Sequence, residues 1–192
     1  MEKEVHLGVT GPFGAGKTAA INALEEVGFT YHSLSDEVRK EARAQGHTEL
    51  ERDILINVGN NTRREYGQMV FAQRVLDSAK DDDKAIFDGI RAVGEVNYFK
   101  ENDPNFILIA ITASEETRYN RILSRGRAGD PKTLDEIAIK DRKDRGIGID
   151  ECVKMAHHVI VNEGITIEQL TGKLFEYIGI ERQKVCEVAN IM

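Results

Sequence analysis

The chain has 192 residues, 41% of them hydrophobic, and a formal net charge of -7. This length is enough to bury one sizeable core, so a single domain over residues 1–192 is expected. The acidic balance excludes a general affinity for nucleic acid or anionic membranes, since both depend on an excess of Lys and Arg. No apolar run approaches the roughly 20 residues that cross a bilayer, and the N-terminus has no signal-peptide pattern, so the expected location is cytoplasmic.

Five short segments rich in Val, Ile and Phe predict strands, at residues 5–10, 29–32, 84–88, 106–112 and 158–162. The segments between them carry apolar residues at helical spacing. In one of these, Thr166 opens a capping box with Gln169 and places Leu170, Leu174 and Ile178 on one helix face. Strands that alternate with helices predict a parallel sheet, and the run FILIAIT fits a central strand buried on both faces.

The motif GPFGAGKT, residues 11–18, follows the first predicted strand and precedes a helical stretch. It satisfies the pattern G-x-x-x-x-G-K-[ST] in the strand–loop–helix context that the pattern requires. The glycines let backbone N–H groups turn toward a polyphosphate, Lys17 reaches its terminal phosphates, and Thr18 ligates Mg²⁺. The absence of a guanine-reading N-K-x-D stretch disfavours a GTPase switch. The predicted nucleotide contacts are Gly11, Gly14, Ala15, Gly16, Lys17, Thr18 and Ala19.

Arginines that follow the next two strands are candidates to bind a second phosphate-bearing molecule. Arg39 ends the stretch SLSDEVR and Arg91 ends DGIR, each just beyond a predicted strand. Guanidinium groups bind phosphate oxygens as planar forks and stay charged. In GNNTRREYG, Arg63 is favoured over Arg64 as a third ligand.

Two carboxylates at the same predicted edge are candidates to orient Mg²⁺ through a bound water. Asp88 ends the third strand, and Asp36 follows the second. Sequence alone does not divide the metal role between them. Asp88 is the natural candidate.

Residues 118–145 form an arginine-dense segment that reads as helix, loop and helix. A solvated helical pair is one interpretation, because acidic residues within it neutralise much of the charge. The other is a lid over the nucleotide, whose cations stabilise the transferred phosphoryl group while closure excludes water. The preferred members are Arg121, Arg125 and Arg142.

These motifs resemble those of P-loop nucleoside monophosphate kinases. SLSDEVR is similar to the STGDLLR stretch of adenylate kinases and matches it at Ser33, Asp36 and Arg39, while DGIR resembles their DGFPR with one residue missing. In that family the two arginines hold the phosphate of the acceptor nucleotide. The resemblance also covers RILSRGR, which is similar to the entry of the lid, and it implies ATP with Mg²⁺ as the phosphate donor.

The last predicted strand points to a sister family. HHVIVNEGITIEQL resembles the ADxVIxNxGxxxxL ending of dephospho-CoA kinases, which carry a DxD after the second strand. A hydroxyl acceptor needs a general base there. Here that place begins with Ser33, and Asp36 is displaced by one position, which counts against CoA chemistry. A phosphate acceptor needs positioning and charge neutralisation more than deprotonation.

The resemblance implies an α/β three-layer P-loop kinase fold with a five-stranded parallel sheet of order 2-3-1-4-5. The acceptor-binding insertion is expected at about 33–80 and the lid at about 114–145. The leading hypothesis is transfer of the ATP γ-phosphate to a nucleoside or deoxynucleoside monophosphate by a monomer or homodimer. The alternatives are a dephospho-CoA kinase with Asp36 as base and a non-catalytic ATP-binding regulator.

Overall fold

The computed structural model describes residues 4–127 and 129–179, so both ends of the expected 1–192 domain lie outside it. The described strands are β1 (Val5–Thr10), β2 (Thr30–Ser33), β3 (Lys84–Asp88), β4 (Phe106–Thr112) and β5 (His158–Val161). The described helices are α1 (Lys17–Glu26), α2 (Leu34–Ala44), α3 (Arg52–Tyr66), α4 (Val70–Ser78), α5 (Val93–Asn102), α6 (Glu115–Arg125), α7 (Leu134–Ile147), α8 (Ile149–Lys154) and α9 (Ile167–Ile178).

The five strands form one parallel sheet in the order β2-β3-β1-β4-β5, which confirms the predicted 2-3-1-4-5 arrangement. The second strand begins one residue later than predicted. Phe29 is buried, and its N–H donates to the carbonyl of Leu24 at the end of α1 instead of joining the sheet.

Hydrophobic residues fill both faces of the sheet. Ile109 and Ile111 of β4 pack into a cluster with α1 and α9, whereas Leu108 packs into a second cluster with α4 and α5. Neighbouring residues of a strand point to opposite faces, so the predicted double burial of this central strand is confirmed. The predicted capping box of Thr166 and Gln169 also opens α9.

Parallel pairing brings the charged loops together at one edge. Asp88 lies opposite Val9 of β1 and Ser33 of β2, so β1, β2 and β3 end side by side. Ligands of open α/β sheets bind beyond the carboxyl ends of the strands. Residues 11–18, 34–39 and 88–91 therefore surround one region. In the described ranges, no helix is both long and apolar enough to span a bilayer.

Candidate active site

The loop of residues 11–18 follows β1 and leads directly into α1. Gly11, Gly14 and Gly16 have φ angles of 131°, 82° and 108°, which residues with a Cβ rarely adopt. A Cβ on Gly11 would overlap the carbonyl oxygen of Ile111, and one on Gly16 would overlap the side-chain amide of Asn162. The glycines therefore allow the loop both its turn and its close packing against β4 and the end of β5.

We expect Gly11→Ala to destabilise the protein more than Gly28→Ala does. Both glycines have positive φ, so both substitutions carry backbone strain of about 1–2 kcal/mol. A Cβ at Gly28 meets nothing within 4 Å, whereas a Cβ at Gly11 meets backbone that cannot rotate away. The additional overpacking should cost about 1–3 kcal/mol. Urea unfolding of the two variants measures the difference, and equal losses would contradict this packing.

Asn162 supports the loop from the end of β5. Its buried side-chain amide donates to the carbonyl of Ala15 at 2.8 Å, and its main-chain carbonyl oxygen accepts from the Arg121 guanidinium at 3.0 Å. Asn162 thus contacts both the loop of residues 11–18, called the phosphate loop below, and α6, the first helix of the predicted lid. This asparagine occupies the fixed N of the ADxVIxNxGxxxxL pattern, which is the signal that singles it out. The sequence alone did not predict which contacts it makes.

A cavity of about 480 Å³ lies over the loop and brings together most of the predicted site. Small-molecule sites have volumes of roughly 300–1,000 Å³. The predicted residues that line it are Gly11, Gly14, Gly16, Lys17, Thr18, Ala19, Asp88, Arg91, Arg121 and Arg125. Ala15 of the same loop is buried and does not line the cavity. Phe13, Ser124, Arg127 and Ile149 also line it and were not predicted.

Lys17 is the cation nearest the loop backbone. Its Nζ donates to the carbonyl oxygens of Gly11 at 2.6 Å and Pro12 at 3.1 Å. Burial lowers the pKa of Lys17 to about 8, although the carboxylate of Asp88 opposes this shift. The ammonium group therefore loses its proton at a lower pH than an ordinary lysine does. A bound polyphosphate would favour its charged form.

This pKa predicts that nucleotide affinity falls as pH rises through 8. Bound phosphates raise the pKa of Lys17 above its free value of about 8, so binding takes up a proton once the free lysine is neutral. Nucleotide affinity should therefore be highest below pH 8, where Lys17 is charged, and about tenfold weaker at pH 9 than at pH 7. Calorimetric titration with Mg²⁺ and a non-hydrolysable ATP analogue measures it. Lys17→Arg stays charged and should lose this dependence; a flat profile for the unmodified protein would contradict the prediction.

The loop after β3 is fixed by backbone contacts. Thr10 Oγ1 donates to the carbonyl of Ile90 at 2.9 Å, and the Glu95 carboxylate accepts from the N–H groups of Arg91 and Ala92. The Arg91 guanidinium projects from this fixed loop and is half exposed, with Asp144 at 3.9 Å. Its side chain is thus free to contact a ligand, while its backbone position is set.

Thr18 and Asp88 could hold Mg²⁺. Both line the cavity and both offer oxygen ligands, which this hard cation prefers. Asp88 Oδ2 accepts a hydrogen bond from the Tyr31 hydroxyl at 3.1 Å. Burial is the main cause that raises the pKa of Tyr31 to about 12, so the phenol stays protonated as the donor.

The other candidate carboxylate, Asp36, lines a second cavity of about 350 Å³ between β2 and α2. Asp36 is paired there with Arg39 at 2.7 Å, and Lys40 and Arg43 lie on the same side of α2. Tyr31 lines this second cavity and donates to Asp88 of the first. The two cavities therefore lie on either side of the Tyr31–Asp88 hydrogen bond, with Asp36 in one and Asp88 in the other.

Arg63 lines neither of these cavities. Its guanidinium lies over the ring of Phe71 at 5.0 Å, and Arg64 is exposed on α3. The sequence showed two adjacent arginines at the end of a helix, but it did not show that a buried ring of α4 attracts one of them.

The two helices of the predicted lid place their predicted arginines differently with respect to the cavity. Arg121 and Arg125 of α6 line the first cavity, whereas Arg142 of α7 is exposed and does not. Helix geometry gives the reason. Ile137 and Asp141 form the buried face of α7, and the next position is turned by about 100° away from it. The cation that α7 presents toward the loop is instead Lys140.

A buried ion pair joins both helices to the phosphate loop. Arg118 is 2% exposed and donates to both oxygens of Asp141, at 2.6 and 2.7 Å. The same guanidinium donates to the carbonyl of Phe13 at 2.9 Å. Sequence reasoning missed this pair because the segment contains many charges, and only the phases of the two helices decide which of them become buried.

The sheet order, the glycine loop and the cavity above it define a P-loop kinase-like domain. A family model described as AAA domain matches residues 10–138, more than half of the chain. TT1252 from Thermus thermophilus has a TM-score of 0.64 at 18% identity, over 93% of this chain and 98% of that one. Shikimate kinase from Acinetobacter baumannii in complex with shikimate has a TM-score of 0.60 at 18% identity, over 92% and 94%. Such identities show the fold alone, and the P-loop kinase resemblance is confirmed.

The chain belongs to the UPF0200 family. The UPF0200 protein of Pyrobaculum aerophilum is 34% identical to it over 168 residues, which cover 88% of this chain and 93% of that relative.

Proposed function

We propose that this protein is an ATP-dependent small-molecule kinase that transfers the γ-phosphate to a nucleoside or deoxynucleoside monophosphate. The observation that carries the proposal is the cavity over residues 11–18, which gathers Lys17, Thr18, Asp88 and the lid arginines Arg121 and Arg125. Phosphoryl transfer requires mainly positioning and charge neutralisation, and these are the groups that supply both.

The donor nucleotide would bind at the loop of residues 11–18. The loop N–H groups and the start of α1 would hold the ATP phosphates, and Lys17 would contact the terminal ones. Thr18 and Asp88 would hold Mg²⁺, which neutralises charge on the phosphates when it is bound. The segment at about 114–145 would act as the lid, with Arg121 and Arg125 over the triphosphate and water excluded from it.

The acceptor side is assigned to the second cavity and the edge of the first. Arg91 lies in the first cavity, and Arg39, Lys40 and Arg43 line the second. The carboxylates of Asp36 and Glu37 also line the second cavity and pair with Arg39 and Lys40. The cations outnumber them, and this excess favours an anionic acceptor such as a phosphate group. The pairing of Asp36 with Arg39 gives that carboxylate a structural partner, which disfavours it as the base that a hydroxyl acceptor would need.

ATP and mononucleotides are cytoplasmic metabolites, and the proposed location is cytoplasmic for that reason.

The test is ADP release from ATP·Mg²⁺ across a panel of ribo- and deoxynucleoside monophosphates and dephospho-CoA, with identification of the products. We expect one monophosphate to stimulate turnover and to yield its diphosphate. Stimulation by dephospho-CoA alone would overturn the phosphate-acceptor assignment. If ATP binds but no acceptor stimulates ADP release, the protein is a nucleotide-binding regulator and the kinase proposal fails.

A further inference from the structure

Phe13 is the point where both lid helices meet the phosphate loop. Its ring lines the cavity, with the Arg125 guanidinium of α6 at 5.0 Å from the ring centroid and the Lys140 Nζ of α7 at 4.6 Å. Its carbonyl accepts from Arg118, which is bound to Asp141 of α7. One loop residue thus receives contacts from two helices, through its ring and through its backbone.

The ring contacts Arg125, which lines the phosphate cavity, and Lys140, which lies next to the ring but outside the cavity lining. The face of an aromatic ring is electronegative and attracts cations within about 6 Å, and both groups lie inside this distance. Arg125 is held on its other side by Asp130, at 2.7 and 3.0 Å. Among the described residues, Lys140 forms no ion pair with a carboxylate. Asp144 attracts its ammonium group from a longer distance, and the ring of Phe13 is in direct contact with it.

Lys140 has the surroundings of a ligand-binding cation. It is partly buried, on the face of α7 that also carries Asp141 and Asp144 toward the loop. Burial lowers the pKa of Lys140, with the Asp144 carboxylate opposing the shift. A desolvated ammonium group beside a phosphate loop gains more from an anionic ligand than a fully hydrated one does.

We propose that Phe13 is a positioning residue that preorganises one cation from each lid helix, Arg125 and Lys140, to bind the nucleotide phosphates. Long side chains that are fixed before binding lose less conformational entropy when the ligand arrives. Lys140 thereby takes the place in α7 that the sequence assigned to Arg142. This inference rests on the proposed function in one respect, namely that the cavity binds a nucleoside triphosphate.

The first experiment measures binding of Mg²⁺ with a non-hydrolysable ATP analogue by calorimetry. Phe13→Leu keeps an apolar side chain but removes the ring, and we expect about tenfold weaker binding. Phe13→Tyr keeps the ring and should bind like the unmodified protein. Lys140→Met should weaken binding about tenfold and flatten its salt dependence, whereas Lys143→Met on the exposed face of the same helix should not. Phe13→Leu with Lys140→Met should lose less than the two single losses combined.

The second experiment measures hydrogen exchange in the nucleotide-free protein, so it does not depend on the proposed function. The amides of α7 should exchange faster in Phe13→Leu than in Phe13→Tyr, because the contact with Lys140 is lost. Equal exchange in these two variants overturns the proposal, and so does analogue binding that is the same for Lys140→Met and Lys143→Met. If the α7 amides exchange faster in Phe13→Leu than in Phe13→Tyr but the protein transfers no phosphate, the kinase reaction is refuted. The role of Phe13 as a positioning residue then still stands.

Discussion

Replacing Lys17 with methionine is expected to lower ATP-dependent turnover about 10²–10³-fold while leaving the fold intact. The Lys17 side chain is partly buried, and its ammonium group donates to the loop carbonyls of Gly11 and Pro12. Methionine has a similar length and no charge, so the triphosphate loses a direct electrostatic partner. Because burial disfavours the charged lysine, as its pKa of about 8 shows, removal of the charge should not reduce the free energy of unfolding by much.

The measurement is kcat/KM for ATP together with the urea midpoint of the same preparation. Lys173→Met is the matched control, since Lys173 is exposed on α9, away from the cavity. Turnover of Lys17→Met within about threefold of the unmodified protein would remove Lys17 from the phosphate-binding role, since loss of a preorganised donor has a larger effect.

Removing one partner of the buried pair Arg118–Asp141 is expected to destabilise the protein by about 3–5 kcal/mol. Both side chains are at most 5% exposed and share two hydrogen bonds. Arg118→Met leaves the buried carboxylate with only the more distant cation of Arg145, at 3.7 Å, and Asp141→Leu leaves a buried guanidinium without its anion. The double variant removes both charges and should lose only about 1 kcal/mol, for the unpaired carbonyl of Phe13.

Urea unfolding of the two single variants and the double variant completes this cycle. The exposed pair Arg39–Asp36 supplies the control, because removing Arg39 from an exposed pair should cost less than about 1 kcal/mol. If Arg118→Met lost no more stability than Arg39→Met, or if the double variant were less stable than both single variants, the pair would not have the buried role that the geometry gives it.

The sequence predicted the fold, and it predicted which charged segments meet at one edge of the sheet, because both follow from local patterns. The strand–loop–helix context of GPFGAGKT is visible in eight residues, and Asp88 and Arg91 directly follow a strand whose apolar residues are contiguous. Chain order and parallel pairing then bring these segments to one edge of the sheet.

The side chains that α6 and α7 turn toward the loop, and the contacts that support the loop, were harder to predict because they depend on how helices are turned and packed. Arg142 and Lys140 are two positions apart, and only the burial of Ile137 and Asp141 decides which of them faces the loop. Arg63 lies over Phe71, a contact between two different helices. Asn162 is 147 residues away from the carbonyl that it binds, and no local pattern records a pairing over that distance.

If the protein is a kinase, the phosphate bound near Lys17 is transferred to a second molecule. The most direct measurement follows the label from γ-³²P-ATP in the presence of Mg²⁺ and the monophosphate that stimulates ADP release most, with Lys17→Met as the inactive control. We expect the label on the nucleoside diphosphate, with inorganic phosphate as a minor product, because closure of the proposed lid would exclude water. Recovery of the label only as inorganic phosphate would contradict this expectation.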